Sequence, residues 1–246
     1  MEAMWMCFIP LIQRTRQILR AGKIGRPCLL FADFGYPIVQ DPQSRFLNPN
    51  LGGGSLLDRG IYPLSLAYYL FGEPDEVTGQ AAVGATGVDE QSTALLKYRE
   101  GHQAVLTSTM NAYSSNRATV VGTHGRIEIV APFFRTERIS VKTFPWAEPK
   151  PLPVDAAAPA GASRLRQILA RGRRAACRLL NKDPNEVVYA TSLTGNGYNY
   201  EASEVGRCLR EGVLESAAMT GSESIAIVKA MDTLRAQWGV VYPNDP

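Results

Sequence analysis

Four cysteines, two histidines and the want of any long apolar run set the first limits on this chain of 246 residues. Cys7, Cys28, Cys177 and Cys208 are scattered, with no CxxC pair and no metal-like spacing, so neither a disulfide framework nor a zinc site is indicated. Such thiols suit a reducing cytoplasm. No stretch approaches the roughly 20 apolar residues that a membrane helix needs. Glu2 precedes the first apolar residues, and Arg14, Arg16 and Arg20 lie among or after them, the reverse of a signal peptide. The expectation is a soluble, cytoplasmic protein with no membrane partner. His102 and His124 fall in or beside turns and are expected to be solvated. No Gly-x-Gly-x-x-Gly follows a strand-like run, so the chain has no dinucleotide-binding fingerprint.

What is present suffices for one core. At 45% hydrophobic and 20% charged residues, residues 1–246 read as a single domain with one insertion, at about 147–186. Within it, Trp146 to Ala162 is a linker rich in Pro and Ala. Ser163 to Lys182 reads as a basic helix, with Arg164, Arg166, Arg171, Arg173, Arg174, Arg178 and Lys182 and no acid. That stretch is +7 against a net charge of +3 for the chain, so the rest is acidic by 4. The basic balance therefore belongs to one segment. A solvated surface helix accounts for it; a phosphate-rich or anionic partner is the sharper alternative, and a general nucleic-acid-binding surface is not supported.

Hydrophobic periodicity orders the remainder. Phe8 to Ala21 has helical spacing and stops at Gly22, and Pro27 to Tyr36 is a β-type run. A helix starts at Ser55 and ends at Gly72-Glu-Pro74. Strands follow at Val77–Val83, Ser92–Tyr98, Gln103–Ala112, Ala118–Val121, Arg126–Val130 and Arg138–Val141, separated by Gly-containing turns that suit hairpins. Helices return at Glu201–Arg210 and Ser222–Trp238, the second with Ile225, Val228, Met231, Leu234 and Trp238 on one face. Helices before and after a run of hairpins define an α+β fold: an open, mostly antiparallel sheet with helices on one face. The other face needs a cover, for which a second subunit is the usual answer and a solvated polar surface the alternative.

The segment Leu51-Gly-Gly-Gly-Ser-Leu-Leu-Asp58-Arg-Gly-Ile-Tyr62-Pro63 carries the most chemistry. Three glycines at a helix start permit close approach and are expected to leave N–H groups free. Asp58 and Tyr62, at i and i+4, share a helix face. A phenol beside a carboxylate can relay a proton from a substrate hydroxyl if a cation, typically a lysine, brings its pKa of about 10 toward neutrality. The structural alternative stays open: Asp58 pairs with Arg59, and Tyr62 packs.

Glu2-Ala-Met-Trp5-Met-Cys7-Phe8, Gly22-Lys-Ile-Gly25, Gly52 to Pro63 and Gly122-Thr-His-Gly-Arg-Ile-Glu128, in that order and spacing, resemble successive motifs of the Gfo/Idh/MocA oxidoreductases. The resemblance covers most of residues 1–145 and 195–243. It implies the C-terminal α/β domain of an NAD- or NADP-dependent dehydrogenase acting on the CH–OH group of a sugar or vicinal diol, with the open sheet as a homodimer interface. It also maps the family's proton-transfer pair onto Asp58 and Tyr62, and a substrate-pocket tryptophan onto Trp5. Cys7 stands where the family usually has arginine. Phe46 and Tyr198, or Tyr200, are candidates for the pocket wall. The family's catalytic lysine lies in a Glu-Lys-Pro motif, and this sequence contains none. The expectation is thus a substrate-binding portion without its Rossmann domain, inactive alone unless that domain is supplied in trans. The alternative is a non-catalytic domain for sheet-mediated dimerisation or ligand binding.

Overall fold

The computed structural model of the protein describes residues 2–144, 183–243 and 245. The expected linker and basic helix lie almost wholly outside the described residues.

A 3-10 turn at Trp5–Phe8 leads into helix α1, Pro10–Arg20, with Pro10 at the first turn where its missing N–H costs nothing. Leu11, Ile12, Thr15, Ile18 and Leu19 form its buried stripe. Strand β1, Pro27–Gly35, follows, then a long loop, a π turn at Leu56–Gly60 and helix α2, Ile61–Phe71. The strands β2 (Glu76–Val83), β3 (Asp89–Lys97), β4 (Gln103–Thr109), β5 (Ala118–Gly122), β6 (Gly125–Ile129), β7 (Arg138–Thr143) and β8 (Glu186–Ala190) come next. Helices α3, Tyr198–Glu211, and α4, Gly221–Trp238, are the last elements among the described residues.

The eight strands form one mixed sheet in the order β2-β3-β4-β1-β5-β6-β7-β8. Hairpin spacing predicts the antiparallel pairs. It does not predict that β1 enters the middle of the sheet, parallel to β4 and antiparallel to β5, joining two hairpin groups. Strand β8 was not anticipated: its Val187 and Val188 are both largely exposed, so this edge strand of five residues has no clean alternation to read.

Alternation elsewhere decides which face is covered. Leu30, Ala32, Ala94, Leu96, Ala104, Leu106, Val120, Ile127 and Ile139 point to one side and are buried in the core that contains helices α1, α2 and α4. The opposite side holds Phe31, Leu95, Val105 and Leu29 among threonines and charged residues, with Phe31 44% and Leu95 48% exposed.

Helix α4 departs from its expected face. Ile227, Ala230, Met231 and Leu234 are buried, at i, i+3, i+4 and i+7, whereas Ile225 and Val228 are exposed. The helix begins with a full capping box, Thr220 with Glu223, and is drawn close to β2 by Gly79. A Cβ on Gly79 would lie 2.4 Å from the Thr93 carbonyl oxygen and 2.9 Å from Leu234 Cδ2. Leu234→Ala is expected to cost about 2–5 kcal/mol by opening a cavity, and Gly79→Val about 1–3 kcal/mol by overpacking. Urea unfolding of both variants tests this contact; an unchanged midpoint for both would refute it.

Candidate active site

The helix expected from Ser55 is interrupted at its start. Leu56–Gly60 is a π turn, in which the Ile61 N–H reaches back to the Leu56 carbonyl. Pro63 supplies a cause: it lacks the N–H that would bond the Arg59 carbonyl, and its ring would crowd that carbonyl in a regular helix. The wide turn carries Asp58 and Arg59 and delivers Tyr62 in the first turn of α2.

The glycine run before it serves the fold. Gly52, Gly53 and Gly54 donate to the carbonyls of Pro49, Asn48 and Phe46, and the Leu56 N–H goes to Asp89 Oδ2 at 2.7 Å. The N–H groups expected to be free are therefore taken. Gly54, at φ +122°, leaves no room for a side chain: a Cβ there would lie 2.5 Å from Asp89 Oδ1 and 2.9 Å from Tyr242 Oη. This glycine segment fits no dinucleotide phosphate.

Around Tyr62 the structure gathers aromatic rings from four segments. Trp5 Nε1 donates to Tyr62 Oη at 3.1 Å. The Trp5 ring meets Tyr198 edge-on at 4.9 Å and Phe134 at 6.2 Å. Phe34 and Phe134 stack at 4.5 Å, and each also packs against Tyr62, at 5.2 and 5.6 Å. Tyr198 remains 55% exposed at the cluster's edge. Gly197, at φ +100°, lets the chain pass over Trp5, for a Cβ there would lie 2.9 Å from the indole. Trp5, Tyr62 and Tyr198 thus come together. Tyr200 instead accepts the Thr194 N–H at 3.1 Å.

Asp58 turns toward cations. Its Oδ1 pairs with Arg45 at 2.8 Å, and its Oδ2 lies 3.5 Å from Arg59 Nε. Pairing with Arg59, the structural alternative, is what the side chain does. Phe46 is one step further out, beneath the Arg45 guanidinium at 4.3 Å, and is not part of the ring cluster. Arg59 is 6% exposed and donates to the carbonyls of Tyr36 and Thr109, the latter at 2.6 Å, fastening the π turn to the ends of β1 and β4. Burial pushes its pKa down and Asp58 opposes that shift.

Burial raises the Tyr62 pKa, the Trp5 hydrogen bond works against that rise, and the charges of Tyr198 and Asp58 add to it. The phenol is therefore neutral at physiological pH and is a proton donor. Cys7 is wholly buried and its thiol is pushed far up, chiefly by burial and then by Glu223, so it is inert as a nucleophile and offers no cationic contact. His102 is not solvated as expected: it is 7% exposed, stacked on Tyr98 at 4.4 Å and set against Phe71, with its pKa lowered by burial. Among the described residues no cluster of His, Cys, Asp or Glu could hold a metal, and no helix is long and apolar enough to cross a membrane.

Sequence reasoning missed Phe34, Phe134, Arg45 and Asp89. Phe34 was legible as a strand residue, but its neighbours depend on β1 being central. Phe133-Phe134 after Pro132 is the one local signal for the second ring.

The architecture is thus a mixed sheet with helices on one face and a π-turned helix that presents a tyrosine among aromatic rings. Residues 12–128 match the family model described as the GFO/IDH/MocA C-terminal domain. The chain is 32% identical over 99% of its length to trans-1,2-dihydrobenzene-1,2-diol dehydrogenase of Xenopus tropicalis, covering 64% of that protein. It is 28% identical to the D-xylose 1-dehydrogenase (NADP(+)) of Hypocrea jecorina, over 99% of this chain and 61% of that protein. The aldose-aldose oxidoreductase of Caulobacter crescentus, solved with glycerol, shares the fold at TM-score 0.69 and 18% identity, over 95% of this chain and 59% of that one. The chain thus spans somewhat less than two thirds of the length of these relatives.

Burial raises Asp89 from an ordinary 3.8 to about 7, its hydrogen bond from the Leu56 amide opposing the rise. A carboxyl raised on folding favours the folded state below its unfolded value and loses that contribution as pH rises through the folded value. Asp89→Asn removes the ionisation. Its melting temperature relative to the parent should therefore climb between about pH 4 and 7 and level off above, as followed by thermal melts across pH. A constant difference would contradict the assignment.

Proposed function

We propose that this chain is the C-terminal, substrate-binding portion of an NAD(P)-dependent oxidoreductase acting on the CH–OH group of a sugar or vicinal diol, inactive without a cofactor-binding domain. The observation that supports it most is the convergence of Trp5, Phe34, Phe134 and Tyr198 on Tyr62, whose phenol keeps its own proton while its oxygen accepts a hydrogen bond from the indole N–H. Apolar ring faces suit the C–H faces of a cyclic sugar or dihydrodiol, and one polar atom among them fixes which hydroxyl is engaged. The names of the relatives agree with that class of substrate.

Tyr62 is the proton-transfer group in this reading. A neutral phenol donates to the carbonyl oxygen in the reducing direction. To accept a proton from the alcohol it needs a cation beside it, and Arg45 and Arg59 are engaged by Asp58. The resemblance implies that the cation is the lysine of a Glu-Lys-Pro motif, and the nicotinamide supplies or takes the hydride when a Rossmann domain is joined. Asp58 holds Arg45 and Arg59 and shapes the field near the phenol. Trp5 and Tyr198 bind the ring; Phe46 supports Arg45 at the rim.

The exposed sheet face supports a homodimer. Leu95, Val105 and Phe31 are neighbours across β3, β4 and β1 and form an apolar row. Two molecules packed on this row would bury it. Sedimentation equilibrium at tens of micromolar is expected to give twice the 26.9 kDa chain mass, and Phe31→Glu to return it to the single mass. A monomeric parent would exclude the interface.

The catalytic reading is tested by joining the chain to a family Rossmann domain containing Glu-Lys-Pro. Tyr62→Phe should then lower kcat by about 10²- to 10⁴-fold with little change in KM, because the ring remains and the proton is lost. Asp58→Asn should do less harm. A Tyr62→Phe enzyme within about threefold of the parental kcat, well below the usual acid-base contribution, would end this assignment. It would favour the non-catalytic ligand-binding alternative.

A further inference from the structure

The turn that delivers Tyr62 is fastened by a group outside the aromatic cluster. Asp89, the first residue of β3, has no exposed surface, and its Oδ2 accepts the Leu56 N–H at 2.7 Å. Its Oδ1 is buried without a hydrogen-bond partner. That oxygen and Tyr242 Oη converge on Gly54, which only a glycine can occupy there. The Tyr242 hydroxyl itself donates to the Gly53 carbonyl, closing the C-terminal segment over the glycine run. Beside this cap runs a chain of buried hydroxyls, Ser55 to Ser108 at 2.8 Å and Ser108 to Ser92 at 2.9 Å, tying the residue before the π turn to β4 and β3. The other groups that act on Asp89 are its own backbone amide and that of Ser55, Arg235 of α4 and the Tyr242 phenol. Arg235 lies over the Tyr242 ring at 4.8 Å and is itself held by Asp232 and Asp245.

We propose that Asp89 is a positioning residue for Tyr62, acting through the Leu56 amide and the π turn, so that gain or loss of its proton moves the Tyr62 hydroxyl relative to Trp5. The physical basis is the difference between the two forms as caps. A carboxylate accepts the amide hydrogen bond strongly and leaves Oδ1 as a buried, unpaired charge. A carboxylic acid is the weaker acceptor and carries a proton that needs an acceptor of its own, so the two forms favour different seatings of the turn against Gly54 and Tyr242. Tyr62 follows the turn without a break, and its hydroxyl is tied to the Trp5 indole at 3.1 Å, so a shift of the turn registers on that bond. Burial places the Asp89 change near pH 7. The consequence for turnover rests on the reading of Tyr62 as the proton-transfer group; the mechanical coupling does not.

The test is nuclear magnetic resonance on the full chain between about pH 5.5 and 8.5, bracketing the cited change. The signals followed are the Leu56 amide, the Asp89 carboxyl carbon and the Trp5 indole N–H, the last identified by its loss in Trp5→Phe. All three are expected to titrate with one midpoint near 7, and Asp89→Asn should abolish the steps at Leu56 and Trp5. Persistence of either step in Asp89→Asn would overturn the proposal. So would a Trp5 indole in the unaltered chain that stays still, or moves with a different midpoint, while Asp89 titrates; that comparison needs no variant to fold. A linked titration together with a silent Tyr62→Phe in the joined enzyme would leave the coupling standing and remove the catalytic role alone.

Discussion

Two buried ionisable groups, Asp89 and Arg59, hold the π turn that leads into the helix carrying Tyr62. Asp89 takes the Leu56 amide at one end, and Arg59 reaches the carbonyls of Tyr36 and Thr109 at the other. Each draws the turn onto the sheet, Asp89 from the start of β3 and Arg59 at the ends of β1 and β4. Leaving a buried hydrogen-bonding group without its partner typically costs about 1–3 kcal/mol, so the seating of the turn follows the state of these two groups. The glycines that precede it are part of the same mooring: Gly54 exists to let Asp89 and Tyr242 come close.

The ring cluster built on this turn is strong in aromatic surface and sparing in polar atoms. Phe34 and Phe134 stack on each other and pack against Tyr62, while the Trp5 indole donates to the phenol. Burial raises the pKa of that phenol. The proposed division of labour follows from this: a cation and a hydride carrier come from the domain that the resemblance implies, and the chain contributes recognition and the hydroxyl.

The sequence made some of this readable, and the limits have physical causes. Strands β3 to β6 were legible because one face of each is buried and the other is more exposed, which yields period-2 patterns between glycine turns. The place of β1 was not, since nothing local to Pro27–Gly35 records that it pairs with residues 74 to 95 positions further on. Tyr62 was read from its spacing to Asp58 and from motif order, Trp5 from motif order, and Tyr198 as a candidate alternative to Tyr200; Trp5, Tyr62 and Tyr198 do come together. Asp58 was found by its spacing, but spacing assumed a regular helix; Pro63 widens the turn and two arginines claim the carboxylate. On α4 the expected stripe is kept at Met231 and Leu234, while Ile227 and Ala230 are buried in place of Ile225 and Val228. Asp89 looked like any acidic residue at a turn, because burial and a hydrogen bond to a residue 33 positions away leave no local trace.

The most direct test of the central claim is where a substrate-like ring binds. Crystals of the chain grown with trans-cyclohexane-1,2-diol or D-xylose, and the same ligands titrated in solution against Trp5 fluorescence, address the pocket without any turnover. The account predicts a ring against Trp5 and Tyr198 with one hydroxyl oxygen about 2.6–3.2 Å from Tyr62 Oη, the reach of a proton-transfer group. A ring bound elsewhere, or at this place with no oxygen near the Tyr62 hydroxyl, would contradict it.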